Sequence, residues 1–121
     1  NLAGEACKIG IAHGYNLENI YKMPPEQLIA AREGDETAME ACGAVILENA
    51  SFRNDDQRPS MGQDMLKGRR TEIDFISGLV VDKAEELGLE VPCNAGILEA
   101  VKKVERGDIP AGPDAVAQII P

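Results

Sequence analysis

Arg70-Thr71-Glu72-Ile73-Asp74-Phe75-Ile76-Ser77-Gly78-Leu79-Val80-Val81-Asp82-Lys83-Ala84-Glu85-Glu86-Leu87 is the stretch whose reading decides the fold class of this chain. Ile73, Ile76, Leu79, Val80, Ala84 and Leu87 recur mostly at steps of three and four. That interval gathers apolar side chains on one face of a helix. Gly88 can take the left-handed conformation that ends a helix, so the spacing predicts one long helix over 70–87.

The neighbouring segments repeat the pattern. Upstream, Ser60 to Leu66 can form a helical turn or two with Ser60 as N-cap. Before it, Phe52 to Pro59 is polar and charged, carries the run Arg53-Asn54-Asp55-Asp56-Gln57-Arg58, and reads as a loop. Asp35 is placed to cap a helix in which Ala38, Met39, Cys42, Val45, Ile46 and Asn49 recur. Pro24-Pro25-Glu26 opens a shorter helix ending near Gly34, and Tyr15 to Met23 connects it to a first helix over Leu2 to His13, stopped by Gly14. Downstream, Pro92 opens a helix through Ile97, Leu98, Val101 and Val104 to Gly107, and Pro113 to Ile120 can add a last turn. Five to six packed helices with short connections are expected, an all-α fold.

Composition agrees. With 121 residues the chain fits one domain, residues 1–121. It is 44% hydrophobic but only 3% aromatic, so its core must be built from Leu, Ile, Val, Ala and Met, which favours helices over a sheet sandwich. The net charge of −9 repels phosphate backbones and argues against nucleic acid as a ligand; Lys67, Arg69 and Arg70 are too few to reverse it. No apolar run approaches the roughly 20 residues of a bilayer span, and no signal peptide is visible, so no membrane partner is expected. Cys7, Cys42 and Cys93 are widely spaced without a C-x-x-C pair. They read as reduced structural thiols of a cytoplasmic protein, with no metal expected.

Few residues carry chemistry. On a helix from Arg70, Glu72 would share a face with Phe75, Ile76 and Leu79, directing its carboxylate at an apolar edge where it must be paired or hydrogen-bonded. The plainer alternative is a first-turn acid favoured by the helix dipole. Ser60 is either an N-cap or a hydroxyl facing a cleft. Asp64 can pair with Arg69 or Arg70, and His13 suits a helix end. Glycines lie singly and form no phosphate loop, so no cofactor site is expected within this chain.

The segment Pro59-Ser60-Met61-Gly62-Gln63-Asp64, its spacing to Gly68-Arg69-Arg70-Thr71-Glu72-Ile73-Asp74, then Gly78 and Val91-Pro92-Cys93-Asn94 resemble one family. It is the C-terminal helical domain of the ketopantoate (2-dehydropantoate 2-) reductases. Gly4-Glu5-Ala6 with His13-Gly14 is similar to that domain's glutamate-containing helix, and the resemblance covers most of residues 4–105.

The resemblance implies an all-α, helical bundle-like domain resembling the 6-phosphogluconate dehydrogenase C-terminal-domain-like fold. In such reductases an N-terminal Rossmann domain binds NADPH, and the small 2-keto acid lies between the two domains on its way to pantoate. Ser60 matches the serine that hydrogen-bonds the substrate. Glu72 matches the glutamate that acts near the reacting oxygen and supports a catalytic lysine. That lysine lies upstream of the glutamate-containing helix, so Lys8 does not take its role, and Gln57 stands where an asparagine is often found. The chain by itself is then expected to be inactive, a piece of a reductase that lacks the Rossmann domain and exposes apolar surface open to self-association, a homodimer included. Ser60 and Glu72 should open onto one concavity. A reductase for another small 2-keto acid, and a stand-alone helical interaction module, are the alternatives.

Overall fold

A computed structural model describes residues 1–53, 59–117 and 119. Among the described residues there are seven α-helices: α1 (Leu2–Ala12), α2 (Pro25–Arg32), α3 (Glu36–Ser51), α4 (Ser60–Leu66), α5 (Ser77–Leu87), α6 (Pro92–Glu105) and α7 (Pro113–Ala117), with a 3-10 turn at Ile73–Phe75 before α5. The all-α expectation holds. The helix count exceeds five to six because both short segments, α4 and α7, are helical. Part of the expected loop from Phe52 to Pro59, residues 54–58, lies outside the described residues. The chain divides into two compact units, Asn1–Gln57 and Arg58–Pro121.

In the first unit, α2 packs against both α1 and α3. Cys7, Met23, Leu28 and Cys42 form the core, with Ala3, Leu17, Ile29, Ala31 and Val45 against it. Met39 and Ile46 fit the helical period of α3 yet face solvent, so the apolar face of that helix is wider than the part it buries here. Gly4 sets the approach of α1 to α2: a Cβ added there would lie 2.5 Å from the Leu28 carbonyl oxygen and 2.7 Å from Arg32 Cβ. Beside it, the buried Glu5 pairs with Arg32 Nε at 3.3 Å. Asp35 caps α3 as expected, its Oδ1 accepting from the Ala38 amide at 2.8 Å. In the connector, Ile20 and Met23 exchange backbone hydrogen bonds of 2.9 and 2.8 Å. The two residues between them, Tyr21 and Lys22, have φ of 48° and 68°.

In the second unit, α6 packs against α5, α7 and the 3-10 turn. Pro92 opens α6, and Gly88, at φ 65°, ends α5 in the left-handed conformation. The single helix expected over 70–87 is a correction. Regular helix begins only at Ser77, after Ile76 with φ −107° and ψ −89°. Thr71 is instead drawn to α6, where its amide and hydroxyl both donate to Glu105. This tie, 34 residues long in sequence, outcompetes local periodicity. The apolar stripe splits accordingly: Ile73 and Ala84 are 1% exposed, whereas Ile76 and Leu79 are about half exposed.

Candidate functional site

Pro59 enters α4 in an extended conformation, which makes Ser60 the first helical residue rather than the N-cap. The N-cap expectation is therefore corrected, and the Ser60 hydroxyl is not spent on a backbone amide. α4 ends at Leu66 with Lys67 as its C-cap, and Gly68 turns the chain at φ 65°. Asp64 fastens this reversal twice. Its carbonyl accepts from the Arg69 amide at 2.8 Å, and its carboxylate meets Arg69 Nε at 3.3 Å, the pairing its spacing suggested.

The chain then returns past Ser60 carrying Glu72. Ser60 Oγ donates to Glu72 Oε1 at 3.2 Å. The two residues singled out in sequence are thus brought together. The reason given for the direction of Glu72 is corrected. Glu72 precedes the 3-10 turn and is not in register with α5, and Phe75, at 80% exposed, is no apolar shelter.

What holds Glu72 in place lies on either side of it. Thr71, buried, donates its amide to Glu105 Oε1 at 2.7 Å and its hydroxyl to the same oxygen at 2.6 Å. The Thr71 oxygen accepts in turn from the Ile73 amide at 3.3 Å. Ile73 is 1% exposed. The Thr71 hydroxyl, followed by its amide, holds the Glu105 carboxyl below the usual glutamate range. Asp74 is saturated differently, taking Lys102 Nζ at 2.7 Å and Arg70 Nη2 at 3.0 Å, and these bonds, Lys102 first, lower its pKa. An aspartate held by two cations is a poor proton carrier.

Sequence reasoning missed Thr71 and Glu105. A signal existed: Glu105 sits in the last turn of α6, where the helix dipole disfavours an acid, so a specific donor was needed there.

The other sequence candidates sit elsewhere in function. His13 ends α1 through its backbone, and its ring lies 6.4 Å from that of Tyr15. Lys8 pairs with Glu33 at 3.0 Å on an exposed surface. Cys7 and Cys42 are buried and Cys93 is half-buried, and burial raises the Cys7 pKa with Glu26 adding to it. Gln57 lies outside the described residues. Among the described residues no His, Cys, Asp or Glu cluster could hold a metal ion, and no helix is long and apolar enough to cross a membrane.

A hydroxyl against a carboxylate can grip a small oxygen-rich molecule and position a proton near it. Known proteins point the same way. Residues 1–105 match the family model described as "Ketopantoate reductase PanE/ApbA C terminal". A 2-dehydropantoate 2-reductase of Archaeoglobus fulgidus is 44% identical over 52 residues, 43% of this chain and 18% of that protein. One from Vibrio cholerae is 45% identical over 47 residues, covering 39% of this chain and 16% of that protein. Another from Streptococcus pyogenes serotype M6 is 37% identical over 79 residues, 64% of this chain and 25% of that protein. The matches thus span a quarter or less of these curated relatives. No solved structure matches the chain. By the extent of the family match, the chain belongs to the ketopantoate reductase family, as its C-terminal domain.

Proposed function

We propose that this chain is the substrate-side domain of a cytoplasmic, NADPH-dependent 2-dehydropantoate 2-reductase, with Ser60 binding the 2-keto acid and Glu72 acting beside its reacting oxygen. The observation that carries this reading is the 3.2 Å hydrogen bond between Ser60 and Glu72, two residues twelve apart in sequence. The family match favours it over a stand-alone interaction module.

Cofactor binding is assigned to a partner Rossmann domain. The positive-φ glycines of this chain, Gly14, Gly34, Gly68, Gly88 and Gly107, stand singly after helices and make no phosphate cradle. NADPH held by that partner would supply the hydride. The part left to this chain is recognition and proton handling. The Ser60 hydroxyl, which now donates to Glu72, can redirect that proton to an oxygen of the keto acid. The Glu72 carboxylate is then released to hold the ammonium of a catalytic lysine supplied from outside these residues, so that a proton source stands at the oxygen as charge develops on it.

The test is NADPH oxidation by the reductase carrying this domain together with its Rossmann domain, over a panel of small 2-keto acids. Glu72→Gln should lower turnover about 10²–10⁴-fold. Ser60→Ala should mainly raise KM, by roughly 2- to 10-fold for one lost hydrogen bond. Unchanged kinetics for a folded Glu72→Gln enzyme would return Glu72 to a structural role.

A further inference from the structure

We propose that Glu105 is a positioning residue: acting through Thr71, it sets where the Glu72 carboxylate stands relative to Ser60. The inference rests on the role given to Glu72 in the proposed reductase, but its geometric content can be tested without turnover.

Glu72 lies in the connection between α4 and α5, outside both helices. A carboxylate on such a segment has many accessible positions unless its backbone is fixed, and each costs ordering entropy. Here a single oxygen fixes it. Glu105 Oε1 accepts both donors of Thr71, at 2.7 and 2.6 Å. A hydroxyl has one proton, so with that proton committed to Glu105 the Thr71 oxygen faces the Ile73 amide as an acceptor, at 3.3 Å. The bonds therefore run in one direction, from the Ile73 amide to Thr71 and on to Glu105, and they span the residue between. The Ile73 side chain is itself buried, at 1% exposure. The depressed Glu105 pKa accords with a carboxylate that serves as the acceptor of this chain.

Thr71→Val keeps the shape of the side chain and removes the link, Thr71→Ser keeps the link, and Glu105→Gln keeps the size while removing the charge. In the two-domain reductase, Glu105→Gln and Thr71→Val should lower kcat about 10- to 100-fold with little change in KM, as expected for a misplaced group. Thr71→Ser should restore most of it. Glu99→Gln, which breaks the exposed Glu99–Lys103 pair on the same helix, should leave kcat unchanged. Added to Glu72→Gln, Glu105→Gln should cost little more, because the group it positions is already gone. A purely structural Glu105 would lower the melting temperature and leave kcat of the folded enzyme alone, or would multiply its loss onto that of Glu72→Gln; either result overturns the proposal.

A carboxyl-carbon NMR measurement on the 121-residue chain separates this from the fate of the reductase reading. Ser60→Ala removes the donor to Glu72 and should move the Glu72 carboxyl resonance. Glu105→Gln should move it in the same direction. A Glu72 resonance that stays at its wild-type position in Glu105→Gln overturns the positioning role, whereas a folded Glu72→Gln enzyme with normal kcat overturns only the reductase role of Glu72.

Discussion

Gly4→Ala and Gly43→Ala make the same chemical change in two helices of one unit, and they should move stability in opposite directions. At Gly4 the new methyl would stand 2.5 Å from the Leu28 carbonyl oxygen and 2.7 Å from Arg32 Cβ, well inside the 3.4 Å at which ordinary contact begins. Neither obstacle is the free end of a flexible side chain, so α1 and α2 must separate. Overpacking of this kind costs about 1–3 kcal/mol. The better helix propensity of alanine returns at most about 1 kcal/mol. Separation also stretches the 3.3 Å contact between Arg32 and the 2%-exposed Glu5, and weakening the pairing of a buried carboxylate is costly. A net loss of about 1–2 kcal/mol follows. Gly43 has nothing within 4 Å of its Cβ, so Gly43→Ala should gain roughly 0.5–1 kcal/mol. The assay is built into the sequence: the chain has two tyrosines, Tyr15 and Tyr21, and no tryptophan. Both tyrosines belong to the first unit, so tyrosine fluorescence during urea unfolding reports on that unit. The Gly4→Ala midpoint should fall by on the order of 1 M urea. A Gly4→Ala chain as stable as wild type would refute the close approach of α1 to α2.

Further outcomes follow from single contacts. Asp35→Ala removes the acceptor for the Ala38 amide and should cost about 1 kcal/mol in the same tyrosine-monitored unfolding; no loss would mean that α3 does not depend on this cap. Glu105 has a lowered folded pKa, so its stabilisation is fully present above its unfolded value of about 4.3 and disappears as pH falls through the folded value. The difference in melting temperature between wild type and Glu105→Gln should therefore be constant from neutral pH to about pH 5 and shrink below about pH 4, and a gap that widened in acid would contradict the sign. Cys7 and Cys42 are buried and burial raises the Cys7 pKa, so alkylation of the native chain should modify Cys93 first, as peptide mass mapping would show; Cys7 reacting as fast as Cys93 would contradict its burial.

Much of the fold was legible because helix ends are local events. Asp35 before α3, Pro92 at the start of α6 and Gly88 after α5 each carry their instruction in one side chain or its absence. The break at Ile76 carries none. Its periodicity runs on from Ile73 to Leu87, and the cause is Glu105, far along the chain, pulling Thr71 out of helical geometry. Exposure was equally hidden: Met39, Ile46 and Leu79 obey the helical period but lie outside the buried set, because period marks a face and not what covers it. The meeting of Ser60 and Glu72 was legible through the family spacing alone. The physical argument offered for the direction of Glu72 assumed a helix that is not there; its hydroxyl partner Ser60 comes from α4, and the anchor of its neighbour Thr71 comes from α6.

The turn at Tyr21 and Lys22 bears on how this protein could evolve. Two successive L-residues occupy the left-handed region there, at roughly 1–3 kcal/mol each, in a two-residue reversal whose preferred occupants are Asn and Gly. Ile20 and Met23 impose that shape by bonding across it, and Met23 is anchored in the core at 4% exposure. Tyr21 and Lys22 themselves point to solvent. The position is thus a reservoir of unused stability: an Asn-Gly pair would relax the backbone without disturbing a single buried contact. A lineage or a laboratory selection under heat would find its shortest path there, and the slack gained would let the first unit tolerate destabilising changes elsewhere in its own helices.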